Sequence, residues 1–292
     1  MALERSTGLS ELAGYGFIDL EPALSNLEEL VQLLGDRARP ALAFVAKAQN
    51  PDQSLELLLK LARSHPKDLK SFAASQDALA RLCLVLGASS AMFEFIDRHI
   101  DRLALLSKIP SLPTLEESAS FLSKNSGSVE QIRTAYRSQL LLIAAFDLEQ
   151  VDPIGGVSKV AASLADLAGA TVDAGLELAR AELSDASNSV SFPVSEIANT
   201  RIAVIGMGKC GARELNYISD VDVIYVAEPE GELESSRALE IATKLVSRMM
   251  RVMDQASAEP ALWQVDANLR PEGKSGALVR SLDSHQSYYD RW

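Results

Sequence analysis

From residue 9 to about 185, apolar residues recur three and four positions apart, the spacing of one helix face. In DQSLELLLKLARSHP (52–66), Leu55, Leu58, Leu59 and Ala62 form such a stripe. ALARLCLVLG (78–87) and AMFEFIDRHIDRLALL (91–106) continue it. Thr114-x-x-Glu117 and Ser128-x-x-Gln131 are capping-box patterns and predict helix starts near 115 and 129. The second leads into VEQIRTAYRSQLLLIAAFDLEQ, and a long helix, SKVAASLADLAGATVDAGLELARAEL, is expected after Gly155-Gly156. No fixed repeat is visible, so the pattern predicts an irregular helical bundle.

The period changes after a polar stretch broken by Pro193, ASNSVSFPVSEIANT (186–200), the best linker candidate. RIAVI (201–205) and VDVIYV (221–226) read as strands. The second has Val221, Val223 and Tyr225 on one face and Asp222, Ile224 and Val226 on the other. An amphipathic helix is expected over 232–257, with Ile241, Leu245, Val246, Met249, Val252 and Met253 as its buried stripe. ALWQVDANL (261–269) reads as a third strand, followed by the turn-rich RPEGKSG and by ALVRS. The expected fold is α+β: an all-α bundle over residues 1–190, then a small sheet with helices over 191–292.

Composition narrows the partners. A net charge of −12 and a pI near 4.8 disfavour nucleic acid, which calls for clustered Lys and Arg. No apolar run approaches the ~20 residues that span a bilayer, and no secretory signal is visible. With only Cys83 and Cys210, no disulfide framework is implied, and the cytoplasm is the natural compartment.

The candidate chemistry lies in RIAVIGMGKCGARELNYISDVDVIYV (201–226), which supports two readings. Gly206, Gly208 and Gly211 after a strand spell the dinucleotide pattern GxGxxG, and Glu228 follows about 20 positions on. That would make a nicotinamide-dependent oxidoreductase. However, Asp220 comes only nine positions after Gly211, too few for an ordinary crossover helix, and two aspartates would have no role.

The other reading is a nucleotidyltransferase. Asp220 and Asp222, two apart on a strand, point to one face and repel each other unless a divalent cation neutralises them. Mg²⁺, with its preference for carboxylate, phosphate and water oxygens, suits such a pair, and Asp266 is available as a third carboxylate. Gly208 at a helix start offers backbone N–H groups to phosphate, flanked by Lys209 and Ser219. Spacing alone decides between neither chemistry.

The run GMGKCGARELNYISDVDVIYV, with VDANLRPEGKSGALVRS after it, resembles the bifunctional glutamine synthetase adenylyltransferase/adenylyl-removing family. The match lies in Gly206-Met207-Gly208-Lys209, Glu214-Leu215-Asn216, Ser219-Asp220-x-Asp222 and Leu269-Arg270-Pro271 with Gly273, Ser275 and Gly276; RLCLVLGASS (81–90) and IRTAYRSQLLLIAAFDL (132–148) fit more loosely. The resemblance implies a DNA-polymerase-β-like nucleotidyltransferase sheet over 191–292, incomplete at its C-terminal end.

The GMG…ELN…SD wording is similar to the family's N-terminal half, which removes AMP from a tyrosine of glutamine synthetase by phosphorolysis and releases ADP. It further implies Asp220, Asp222 and Asp266 as catalytic metal ligands for Mg²⁺ or Mn²⁺. Gly206, Gly208, Lys209, Ser219 and Arg270 would stand beside the nucleotide (ADP or ATP) and phosphate, although Lys209 and Arg270 fit surface salt bridges equally well. Glutamine synthetase is the implied partner, with the PII signalling protein as a further one. Cys210 and Ala212 depart from the family's usual Leu and Gly, and packing adjustments are expected there. The family continues past HQSYYDRW (285–292) and carries a second catalytic half, so a fragment is expected; an inactive docking module is the remaining alternative.

His65, His99 and His285 lack metal-ligand spacing and are expected to pack or lie at the surface. Cys210 near a helix N-terminus has reason for a lowered pKa, yet without a nearby base it reads as structural. Met249, Met250, Met253, Trp263 and Trp292 are expected to fill core.

Overall fold

The structure, a computed structural model, describes residues 2–291, so Trp292 lies outside the described residues. The chain divides into two compact units, Met1–Leu112 with Leu141–Gly156, and Pro113–Leu140 with Val157–Trp292.

The first unit holds helices α1 (Ala2–Gly14), α2 (Leu20–Leu34), α3 (Arg39–Val45), α4 (Pro51–Ser64), α5 (Pro66–Phe72), α6 (Gln76–Ala88) and α7 (Ser90–Arg98). The stripe read in 52–66 is buried, with Leu55, Leu58, Leu59 and Ala62 at 1% exposure or less. Asn50 caps α4 by accepting from Gln53 N–H, and Pro51 starts it. A Cβ on Gly87 would lie 2.4 Å from Ala48 Cβ and 3.2 Å from Ser54 Cβ, so a glycine is what lets α6 approach so closely. Ser54 Oγ uses that approach to donate to the Cys83 carbonyl at 2.8 Å.

The chain then runs through α8 (Leu115–Ser123), α9 (Val129–Leu148) and α10 (Pro153–Ser184). Thr114 and Glu117 form the expected capping box, and Ser128 Oγ accepts from Gln131 N–H. The start of α10 differs from expectation. Asp152 accepts from Gly155 N–H at 3.0 Å and Pro153 takes the first helical position, so Gly155 and Gly156 lie inside the first turn.

The linker candidate is packed instead of free within the second unit. It contains α11 (Val194–Ala198), buries Phe192 and Ile197, and lies under Arg180, which donates to the carbonyls of Ile197 and Thr200. Two apolar side chains in a polar stretch are enough to fold it onto its neighbours.

The strands found among the described residues follow: β1 (Thr200–Gly206), β2 (Val221–Pro229), β3 (Val265–Asp266) and β4 (Val279–Arg280). Between them come the one-turn α12 (Gly208–Gly211), then α13 (Ser235–Asp254), and last α14 (Leu282–Tyr289). This is a mixed α+β arrangement, as expected. β1 pairs antiparallel with β2 from Thr200↔Pro229 to Gly206↔Val223, while β3 and β4 pair parallel with β2. The antiparallel pair overturns the dinucleotide reading, because a Rossmann crossover joins parallel strands. Glu228, its candidate ribose acid, instead accepts from Leu282 N–H at 2.7 Å.

The stripe expected on α13 is fully buried from Ile241 to Met253, and Met250 is half-buried. A Cβ on Gly175 of α10 would stand 2.7 Å from Met253 Cε and 3.0 Å from Met249 Cγ, so the two helices meet at that glycine. β2 is buried on both faces over most of its length. The third strand is only two residues long. Asn268 N–H donates to Asp266 Oδ1 at 2.7 Å, and this side-chain turn ends the ladder that the alternation had extended to 269.

Candidate functional site

Asp222 and Asp266 are register partners across β2 and β3, which places their side chains on one face of the sheet. Asp220 lies one residue before the ladder, where Val221 N–H donates to the Gln264 carbonyl at 3.0 Å. A carboxylate oxygen from each of the three lies within 4.8 Å of the others, Asp220 being exposed and the other two half-buried. Three like charges this close resist ionising together. Burial, then Asp220, then Asp266 hold Asp222 above the usual carboxylate range, and Lys209 opposes them.

The glycine turn sits against this cluster. Met207 N–H donates to the Asp222 carbonyl at 2.8 Å, carrying the hairpin past β1 and into α12. Gly208 has φ +52, and a Cβ there would lie 2.5 Å from Asp222 Oδ2. A Cβ on Gly211 would lie 2.3 Å from the Gly206 carbonyl oxygen. The glycines therefore serve a backbone that folds onto itself and onto a carboxylate. Lys209 is exposed on the turn, and Ser219 Oγ lies 3.5 Å from Asp220 Oδ1.

Arg270, expected beside the phosphate, is also engaged by its own loop. Its guanidinium donates to the carbonyls of Ala267 at 2.7 Å, Gly276 at 3.2 Å and Lys274 at 3.4 Å, organising the loop that follows Asp266. That loop closes tightly, since a Cβ on Gly276 would lie 2.0 Å from the Pro271 carbonyl oxygen.

A match to the family profile for glutamate-ammonia ligase adenylyltransferase covers residues 79–292. The chain belongs to that family. It is similar to proteins named bifunctional glutamine synthetase adenylyltransferase/adenylyl-removing enzyme. It is 44% identical to the one from Leifsonia xyli subsp. xyli over 97% of this chain, and 40% identical to that from Streptomyces avermitilis over 99%. With the Mycobacterium avium protein it shares 37% over 85%. The chain spans about 30% of the length of these relatives, 24% in the last case.

Two residues on this family member that the sequence reading passed over stand beside the site. Arg213, directly after the glycine turn, makes a two-pronged ion pair with Asp166 of α10, each N···O distance being 2.7 Å. Glu272, in the loop after Asp266, pairs with Arg280 of β4 at 2.5 Å. Nothing in local spacing signals the first of these, whose partners are 47 positions apart.

The remaining expectations resolve into packing. His65 contacts Asp97 at 3.1 Å, His99 packs at a tilt against Phe95, and buried His285 faces the Tyr225 carbonyl. Trp263 packs edge-on to Tyr136. Cys210 shows the reverse of the lowered pKa suggested by its helix start: burial first, then Asp222 and Asp166, push it up. Burial pushes Cys83 up to about 12. Iodoacetamide at pH 8 is therefore expected to leave Cys83 unmodified in the native protein and to label Cys210 slowly, as read by peptide mass spectrometry. Rapid labelling of Cys210 would contradict this environment. Among the described residues, no helix is long and apolar enough to cross a membrane.

Proposed function

We propose that this chain is the nucleotidyltransferase part of an enzyme that removes AMP from an adenylylated tyrosine of glutamine synthetase by phosphorolysis. In that reaction a phosphate oxygen bonds to the AMP phosphorus, the bond to the tyrosine oxygen breaks, and ADP and free tyrosine result. One observation carries the reading: three carboxylates, one just before β2, one on β2 and one on β3, converge within 4.8 Å beside a glycine turn. The family supports transfer of adenylyl groups, and the GMG…ELN…SD wording supports the removing direction.

The donor set fits a hard divalent cation. Its members are all carboxylate oxygens, and burial together with like-charge crowding raises Asp222 until a cation relieves it. Asp220, Asp222 and Asp266 would hold Mg²⁺ or Mn²⁺, which when bound supplies positive charge to phosphoryl oxygens. Asp266 keeps its orientation through Asn268 N–H, which engages Oδ1 and fixes how the second oxygen is presented. Gly206 and Gly208 leave the backbone open to phosphate, and Lys209 adds a mobile positive charge at the exposed edge. Arg270, engaged by its own loop, contributes by keeping the segment after Asp266 in place.

The test incubates adenylylated glutamine synthetase with this chain, phosphate and Mg²⁺, and follows ADP. ADP release supports the reading. Stable binding of the adenylylated protein without ADP, in the presence of cation and phosphate, would replace it with a docking role.

Gly208→Ala supplies a second check that needs no turnover. The added methyl group meets the Asp222 carboxylate, and Mn²⁺ affinity measured by electron paramagnetic resonance is expected to fall at least about 10-fold. Gly231→Ala is the control, since it also has positive φ (+66) but its new methyl group meets nothing nearer than Asn199 Nδ2 at 3.9 Å, and it should bind Mn²⁺ like the parent.

A further inference from the structure

We infer that Arg213 and Glu272 are positioning residues that clamp the two loops flanking the carboxylates, an inference that rests on the metal-binding reading above. Among the described residues, these are the two non-glycine positions with left-handed backbone, at φ +59 and +61. Such a conformation is costly for a side-chain-bearing residue and persists only where the surroundings over-determine it. Here both instances fall on the segments adjoining the site: one between the glycine turn and Asp220, the other six residues after Asp266.

The two positions are built alike. Each adjoins a short helical turn. Arg213 follows α12 and donates its N–H to the Cys210 carbonyl at 3.1 Å; Glu272 precedes the 3₁₀ turn Gly273–Ser275 and accepts from Ser275 N–H at 3.2 Å. Each side chain then reaches a regular element. Arg213 takes both carboxylate oxygens of Asp166 on α10, and Glu272 takes the Arg280 guanidinium on β4, itself steadied by Ser284 Oγ at 3.3 Å. A glycine would adopt these angles without cost, but it could not make either pair.

Buried Leu215 anchors the far part of the first loop, but the glycine turn itself has a gap behind it. Behind the glycine turn, on the face of β2 opposite Asp222, lies a cavity of about 160 Å³. Gly206, Cys210, Val221 and Val223 line it from the sheet side, with Gly169 and Asp173 of α10 opposite. No side chain fills that gap to brace the turn. Its placement rests on its own hydrogen bonds, on buried Leu215 further along the loop and on the Arg213–Asp166 pair. The Arg213 and Glu272 side chains are more than half exposed, at 54% and 56%, while their partners Asp166 and Arg280 are mostly covered, at 13% and 16%. Each pair is thus partly screened by solvent, and its stabilisation works against the backbone cost. The effect of each clamp is read chiefly in where the loop sits.

Glycine substitutions separate the two roles. Arg213→Gly, Glu272→Gly and the double variant relieve the backbone cost while deleting the pairs. They are expected to melt within about 4 °C of the parent, because the lost pair and the relieved backbone cost act in opposite directions. Their Mn²⁺ dissociation constant should rise about 10-fold in the double variant, the low end for groups that support metal ligands. Hydrogen exchange over 207–220 and 267–278 should accelerate. Asp166→Asn, which removes the charge from the other side, should reproduce the effect on 207–220 alone. Unchanged Mn²⁺ affinity and unchanged exchange in the double variant would overturn the inference. If the parent itself binds no Mn²⁺, the metal reading fails, and exchange alone decides the clamps: faster exchange upholds them, unchanged exchange removes them.

Discussion

Asp222→Asn is expected to lower ADP release from adenylylated glutamine synthetase by about 10³-fold and to leave the melting temperature unchanged or raised. Loss of a group that merely orients a metal ligand costs about 10–100-fold, so loss of a ligand itself belongs above that range. The stability side has its own sign. Asp222 is held above the usual carboxylate range by burial and by Asp220 and Asp266, which means its charge is unfavourable in the folded state without a cation. The folded carboxyl binds its proton more tightly than the unfolded one, so this penalty is absent at low pH and appears as pH rises through the raised value. Asparagine removes it. Comparing melting curves at pH 4 and pH 7 checks the point: the asparagine variant should gain on the parent only at the higher pH. Undiminished ADP release by the variant would take Asp222 out of the chemistry.

The largest expected stability effect lies away from the carboxylates, at Arg133 of α9. Its guanidinium is fully buried and donates to the carbonyls of Val252 at 3.0 Å, Gln255 at 2.7 Å and Glu259 at 2.7 Å. These acceptors include carbonyls at the end of α13 that have no partner inside the helix, where positive charge is also favoured by the helix dipole. Arg133→Ala leaves three buried carbonyls short of donors and opens a cavity. The expected loss is about 3 kcal/mol, roughly 6–12 °C in melting temperature for a unit of this size. Arg133→Lys keeps the charge but cannot span three acceptors with one fixed fork, so it should recover only part. Thermal unfolding by circular dichroism reads both. A loss below about 1 kcal/mol for the alanine variant would show that water replaces the guanidinium at no cost.

Much of this architecture could be anticipated from spacing, for identifiable reasons. Leu55, Leu58, Leu59 and Ala62 declare a helix because burial and helix period agree, and α13 is legible for the same reason. The pairing of Asp220 with Asp222 follows from strand alternation, and Asp266 from its place in a later strand. The errors arise where a side chain competes with the regular pattern. Asp152 starts α10 ahead of two glycines that looked like a break. Asp266 ends β3 through its own turn to Asn268, although the alternation continues. The glycines read at first as a dinucleotide turn are set by contacts with Asp222 and with the Gly206 carbonyl, which spacing cannot distinguish from a pyrophosphate cradle. Direction of the next strand does distinguish them, and β2 runs antiparallel. The Arg213–Asp166 pair was illegible because neither residue stands in a motif and only the tertiary fold joins them.

The edge of β2 opposite β1 is shared by two short strands. Val221 and Asp222 pair with β3, Tyr225 and Val226 pair with β4, and the segment 267–278 leaves and returns across the interval between them. Both ends of that segment are thus pinned to fixed rungs of one ladder. Adding or deleting a single residue within it would slip β4 by one step and exchange the faces of Val279 and Arg280, uncoupling Glu272 from its partner. The segment is consequently tolerant of changed identity at exposed positions such as Ser275 and Ala277, but intolerant of changed length.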